Sequence, residues 1–178
     1  MKRDTADNTT EIPRSGRVAI DKAKAIRLLA LDVDGVMTDG RLYYGPDGAE
    51  LKAFHVQDGS AMKMLLATGV SIAIISGRQS EAVDRRAAEL GVPHVYTGVI
   101  DKVATLAELS KSSRIERRHM AYAGDDLPDL PVFDEVGLSL SVPNAHPAVI
   151  ARADYVTATP GGLGAVREIC ELIIAARE

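Results

Sequence analysis

Short apolar runs recur along the chain, each closed by polar or glycine-rich residues, with stretches of helical spacing between them. The clearest run, Ile26-Arg27-Leu28-Leu29-Ala30-Leu31, is almost continuously apolar, as a strand covered on both faces requires. Strand patterns fall at 26–32, 72–75, 94–97, 119–123, 137–140 and 154–156. Helical patterns fall at 58–68, 79–90, 101–111, 127–134, 145–151 and 163–177. Such alternation predicts an α/β fold: a doubly wound, Rossmann-like, mostly parallel sheet with helices on both faces.

One stretch breaks the rhythm. Arg41 to Tyr44, then Gly45-Pro46-Asp47-Gly48, then Glu50 to His55 reads as two strands around a turn. A β-hairpin placed directly after the first strand would stand over the C-terminal edge of the sheet as a flap; a simple extension of the sheet is the alternative. Residues 1–20 are rich in Thr, Asp, Asn and Arg, contain Pro13 and Gly16, and read as a mobile tail. A helical turn at 21–25 follows, and residues 21–178 make one domain with no separate cap.

The composition narrows the classes of partner. Aromatic content of 4% without tryptophan, with a net charge of −4, argues against nucleic acid as a ligand. No run approaches the length of a membrane span, and the polar opening does not resemble a secretory signal, so a cytoplasmic protein is expected. The single cysteine, Cys170, excludes an internal disulfide and a cysteine-based zinc cluster; its apolar helical setting reads as a buried thiol.

Chemistry enters at the ends of the strands. Asp32-Val33-Asp34-Gly35 closes the first apolar run, and alternation in an extended chain puts both carboxylates on one side. The C-terminal edge of a parallel sheet is where α/β proteins hold ligands. Two like charges there need a cation or a proton, and Mg²⁺, which takes one or two carboxylates plus a substrate phosphate, would supply the charge. Later strands run into Ser76-Gly77-Arg78 and into Gly124-Asp125-Asp126-Leu127-Pro128-Asp129, and Lys102 opens the helix after Tyr96-Thr97-Gly98. Singly, Ser76 reads as a helix cap, Lys102 as a surface lysine and the acidic cluster as helix-start carboxylates. In a doubly wound sheet all of these loops share one edge and converge on one pocket.

This order of motifs, from Asp32 to Asp129, resembles the haloacid dehalogenase superfamily of phosphotransferases. The resemblance implies that Asp32 attacks phosphorus and forms an aspartyl-phosphate, while Asp34 protonates the leaving oxygen and later deprotonates water. It implies that Ser76 and Lys102 hold phosphoryl oxygens, that Mg²⁺ is bound by the carboxylates of Asp32 and Asp125 and the backbone carbonyl of Asp34, and that Asp126 and Asp129 position metal waters or Lys102. The acid at Asp34 favours phosphate ester hydrolysis over dehalogenation.

A longer pattern narrows the likeness. Phe54-His55-Val56-Gln57-Asp58-Gly59, Ala145-His146-Pro147, Arg152-Ala153-Asp154-Tyr155-Val156 and Gly161-Gly162-Leu163-Gly164 resemble the capless 3-deoxy-D-manno-octulosonate 8-phosphate phosphatase group. That group implies a homotetramer with clustered hairpins, and a phosphorylated sugar-acid substrate used in lipopolysaccharide synthesis. It also implies Arg78 on a sugar carboxylate and His55 and Asp58 on substrate hydroxyls. Leu163, where many members carry a basic residue, leaves open a sialic-type 9-phosphate sugar acid or a promiscuous sugar phosphatase. The non-enzymatic alternatives are a receiver-like domain and an inactive binding homologue. A receiver would carry its acceptor aspartate on the third strand, where this chain has none, and every motif residue needed for catalysis is present.

Overall fold

The computed structural model describes residues 14–178. Six strands form the main sheet: β1 (Leu28–Leu31), β4 (Ser71–Ile75), β5 (His94–Tyr96), β6 (Met120–Ala123), β7 (Leu138–Ser141) and β8 (Tyr155–Val156). Their order is β5-β4-β1-β6-β7-β8, and every neighbouring pair is parallel. The expected doubly wound architecture is therefore present.

The apolar strand residues divide by parity, as the pleat demands. Leu29 and Leu31 of β1, with Ile72 and Ile74 of β4, face helices α1 (Arg14–Ala23), α2 (Val56–Ala67), α3 (Glu81–Leu90) and α7 (Ala165–Ala175). Leu28, Ala30, Ala73 and Ile75 face α4 (Lys102–Ser113), α5 (Leu130–Phe133) and α6 (Pro147–Ile150). Two cores, one on each face, fix the sheet between them. The chain winds outward from β1 to β4 and β5, then returns to β6 and continues the other way. The C-terminal ends of β1 and β6 thus flank the topological switch point, where such sheets open a crevice.

Several boundaries differ from the sequence expectation. The expected tail over 1–20 is helical from Arg14 onward, within α1, while residues 1–13 lie outside the described residues. Ala19 and Ala23 are buried at i, i+4 spacing, a stripe too small to stand out from the polar composition around it. The helix expected over 127–134 is a 3₁₀ turn, Leu127–Asp129, followed by one α-turn, and the helix expected from 163 begins at Ala165. Gly162 and Gly164 there take positive φ, which keeps the chain out of the right-handed helix.

The hairpin forms as its own two-stranded antiparallel sheet, β2 (Tyr43–Tyr44) and β3 (Glu50–Leu51), rather than extending the main one. Its turn is closed by Gly48 N–H to Gly45 C=O at 3.0 Å and Gly45 N–H to Ala49 C=O at 2.8 Å.

Candidate active site

The first acidic motif leaves the sheet in register. The Asp32 N–H donates to the Ala123 carbonyl of β6 at 2.9 Å, so β1 is held to the point where its first carboxylate appears. The chain then makes a wide turn over Val33–Met37, closed by Thr38 N–H to Val33 C=O at 3.0 Å. Gly35 in this turn has φ +93°, and a Cβ there would lie 2.0 Å from Asp125 Oδ2. The glycine is what lets the Asp125 carboxylate close on the first motif.

A cavity of about 480 Å³ opens at this edge. Asp32, Asp34, Ser76, Arg78, Lys102, Asp125, Asp126 and Asp129 all border it. Four separate loops meet there, as their positions at strand ends predict.

At its floor, the Lys102 ammonium lies 2.9 Å from Asp32 Oδ2 and 2.7 Å from Asp129 Oδ1. Burial alone would depress the pKa of this lysine, but the two carboxylates outweigh it and hold it above the ordinary value. Asp129 is fully buried and fully used. Its Oδ1 also accepts from the Tyr122 hydroxyl at 2.7 Å, and its Oδ2 accepts the backbone N–H groups of Asp125 (3.0 Å) and Asp126 (3.1 Å). Asp126 accepts the Leu127 N–H at 2.8 Å, capping the 3₁₀ turn.

Asp32, Asp125 and Asp129 offer oxygens within 4.8 Å of one another. Burial, together with repulsion from the other acids, pushes Asp125 up to about 7; burial, opposed by Lys102, leaves Asp32 at about 6. Three carboxylates drawn this close with one lysine leave uncompensated negative charge, which a divalent cation relieves. The donor set is all oxygen, the chemistry that Mg²⁺ takes. Asp129 has spent its lone pairs on four donors. The Asp125 carboxylate makes no hydrogen bond among the described residues and is the free ligand.

Ser76 is buried, and its Oγ accepts the Arg78 N–H at 3.3 Å, leaving the hydroxyl proton available to the cavity. Asp34 points to the hairpin side. One oxygen accepts from Lys52, and the other lies 3.8 Å from Arg78 Nε. Arg78 also bonds Glu50 on β3. Lys52 and Glu50 were not among the residues singled out from the sequence; their i, i+2 spacing on the returning strand, which puts both on one side, was the available signal.

The two residues expected on substrate hydroxyls, His55 and Asp58, stand at and after the start of α2. Neither borders the cavity. Asp58 is 4% exposed in the first turn of α2, and its Oδ1 accepts the Arg167 N–H of α7 at 2.8 Å. Its other oxygen and His55 Nδ1 have no partner among the described residues. Burial raises the Asp58 pKa against the opposing pull of the Arg167 N–H and of His55. An acid beside a helix N-terminus satisfies backbone donors there, so this carboxylate ties α2 to α7.

Asn144 was also missed. Its amide donates to the Gly35 carbonyl at 2.9 Å, and its carbonyl accepts the Gly161 N–H at 2.8 Å. This staples the glycine-rich loop to the turn after Asp32. A Cβ on Gly161 would lie 1.7 Å from the Gly35 oxygen, which explains why that loop needs glycine.

Known proteins resemble this chain in sequence and fold. Residues 90–168 match the haloacid dehalogenase-like hydrolase family. The 3-deoxy-D-manno-octulosonate 8-phosphate phosphatase KdsC of Escherichia coli strain K12 is 49% identical over 158 residues, covering 89% of this chain and 84% of that protein. This chain belongs to the 3-deoxy-D-manno-octulosonate 8-phosphate phosphatase family. The crystal structure of the Moraxella catarrhalis phosphatase of that name, in complex with magnesium, phosphate and KDO, aligns with a TM-score of 0.88 and 49% identity over 91% of this chain and 92% of that one. A cobalt-bound form of the phosphatase from Haemophilus influenzae aligns with a TM-score of 0.85 at 39% identity, over 88% and 91% of the two chains. The likeness covers about nine-tenths of this chain in each case.

Proposed function

We propose that this protein is a Mg²⁺-dependent phosphomonoesterase that converts 3-deoxy-D-manno-octulosonate 8-phosphate to the free sugar acid and phosphate. The observation that carries this reading is the Lys102 ammonium set between Asp32 and Asp129, with the unbonded Asp125 carboxylate beside them. Lys102 is thereby fixed where a phosphoryl oxygen would approach Asp32.

In this reading Asp32 is the nucleophile. Its carboxylate oxygen forms a bond to phosphorus as the sugar oxygen leaves, giving an aspartyl-phosphate and the free alcohol. Lys102 and the Ser76 hydroxyl hold phosphoryl oxygens as charge redistributes across them. Asp34 gives its proton to the leaving oxygen, then takes one from the water that releases phosphate from Asp32. Asp129 positions Lys102 and, through the Asp125 N–H, the loop that carries Asp125. Asp32, Asp125 and the Asp34 backbone carbonyl would hold Mg²⁺, which when bound supplies positive charge to the phosphoryl group. Arg78, half exposed at the cavity wall, would donate to the substrate carboxylate with the part of its fork not taken by Glu50.

We further infer a cytoplasmic homotetramer built around the hairpin. Leu42, Tyr43, Tyr44 and Leu51 are large apolar residues exposed together on that small sheet, as expected of an interface between copies. Light scattering on a chain lacking residues 41–54 is expected to show loss of the tetramer; an unchanged mass would refute the hairpin's role.

Phosphate release from a panel of phosphorylated sugar acids and simple sugar phosphates, with Mg²⁺ and with chelator, tests the activity. The 8-phosphate is expected to give the highest kcat/KM, and chelation to stop turnover. Faster hydrolysis of a sialic-type 9-phosphate would reassign the substrate, and no release from any ester would overturn the reading.

A further inference from the structure

Lys52 is a buried lysine that the mechanism above does not use. Its side chain is 1% exposed, although it comes from a two-stranded hairpin whose apolar side chains are largely open to solvent. The ammonium bonds Asp34 Oδ1 and lies 3.1 Å from Glu50 Oε1. Glu50 in turn bonds Arg78 through its other oxygen, and Arg78 Nε returns to within 3.8 Å of Asp34 Oδ2. Two acids and two bases thus close a neutral ring, and the Asp34 carboxylate is a member of it. A buried ammonium is costly unless its charge is paired, so the hairpin docks here only with Asp34 and Glu50 in place. The converse also holds. With Lys52 docked, the Asp34 carboxylate is held on the hairpin side of the cavity, apart from the Asp32, Lys102 and Asp129 cluster.

We propose that Lys52 is the positioning residue for Asp34, fixing its carboxylate on the leaving-group side of the phosphoryl site so that hairpin docking assembles the proton donor. This rests on the reading of Asp34 as the acid. Placement of a proton donor matters in proportion to how much the departing oxygen needs a proton. An alkoxide leaving from a sugar needs it; 4-nitrophenolate does not. The parameter kcat/KM reports the steps up to departure of the leaving group and is blind to the later attack of water on the aspartyl-phosphate.

The test compares wild type, Lys52→Met, Lys52→Arg and Asp34→Asn on an alkyl phosphate (the sugar-acid ester) and on 4-nitrophenyl phosphate. Lys52→Met is expected to lower kcat/KM for the alkyl ester about 100-fold and for the aryl ester less than about fivefold, within the range that general acids supply. Lys52→Arg should recover most of the difference. Lys52→Gln, which keeps a donor without the charge, replaces the Met variant should that one fail to fold by circular dichroism, with the same selectivity expected. Equal losses on both esters, or no loss on either, overturn the proposal if Asp34→Asn still discriminates between them. Failure of Asp34→Asn itself to discriminate would instead overturn the acid assignment beneath it.

Discussion

Two buried aspartates, Asp129 and Asp58, sit behind the functional edge and at the α2–α7 contact, and their surroundings differ in kind. Asp129 receives four donors and grips a lysine that faces the cavity. Asp58 accepts from the start of α7 and leaves one oxygen without a partner, next to a His55 nitrogen in the same condition. In the proposed reading, full satisfaction suits a group whose position has to be rigid for chemistry, because a lysine free to wander would not meet the same phosphoryl oxygen twice. Partial satisfaction marks a group that joins two helices, where one good bond to the helix start suffices. Identity as a buried aspartate therefore predicts neither role; the set of donors does.

The sharpest way to break this comparison is to separate activity from stability at the two places. Asp32→Asn is expected to cut turnover by a factor on the order of 10⁴ or more, since the nucleophilic oxygen is lost. Its melting temperature should stay within about 4 °C of wild type, because Lys102 keeps Asp129 as a partner. Phosphate release and a thermal melt on one preparation read both. Substantial residual turnover would exclude covalent catalysis by Asp32.

Metal dependence gives the next largest effect and has a readout apart from turnover. Mg²⁺ should raise the melting temperature of the wild type, because binding to the folded state alone stabilises by mass action and relieves repulsion among Asp32, Asp125 and Asp129. Asp125→Ala should abolish that shift, whereas Asp58→Asn should leave it intact. A shift that survives in Asp125→Ala would move the cation elsewhere.

Much of this site was legible because the strand ends are legible. Asp32, Ser76 and Asp125 each follow an apolar run, and a parallel sheet brings such ends to one edge whatever the loops do between them. The hairpin was visible from its Gly-Pro-Asp-Gly turn. What escaped was contact between loops. Nothing local to Lys52 says that it will reach Asp34, nothing local to Glu50 says that it will pair with Arg78, and nothing local to Asn144 says that it will bridge Gly35 and Gly161. The same holds for Asp58: α2 carries it against the start of α7, and neither it nor His55 borders the cavity although both follow the flap in sequence. Helix α1 was hidden because its buried stripe is alanine, which carries little hydropathy.

Asp58→Asn is the counterpart of Asp32→Asn with the signs exchanged. An amide oxygen still accepts from Arg167, so the expected cost is about 1 kcal/mol, in the range of helix-start substitutions. KM and kcat should stay within about twofold of wild type, because Asp58 does not border the cavity. Urea unfolding and steady-state kinetics check the two halves. A large rise in KM with unchanged stability would return Asp58 to the substrate.

The smallest expected effect comes from a third aspartate, Asp154, which is more exposed than either. Its Oδ2 accepts the Ser139 N–H and hydroxyl at 3.0 Å each, and its Oδ1 pairs with Lys22 of α1 at 2.5 Å. Burial raises the pKa of this carboxylate, but the Lys22 and Ser139 contacts outweigh it and hold the group below its ordinary value of 3.8. A carboxylate depressed on folding contributes stability at pH values above its unfolded pKa and loses that contribution as pH falls through the folded one. The Lys22 side chain is 40% exposed, so solvent screening limits the pair: Lys22→Met should cost about 0.5 kcal/mol at pH 7. Urea midpoints should therefore differ between wild type and variant at pH 7 and pH 5, and converge as the pH drops below about 4, where Asp154 begins to protonate in both. A gap that persisted unchanged into acid would show that Lys22 anchors α1 by packing of its methylene stem and not by charge.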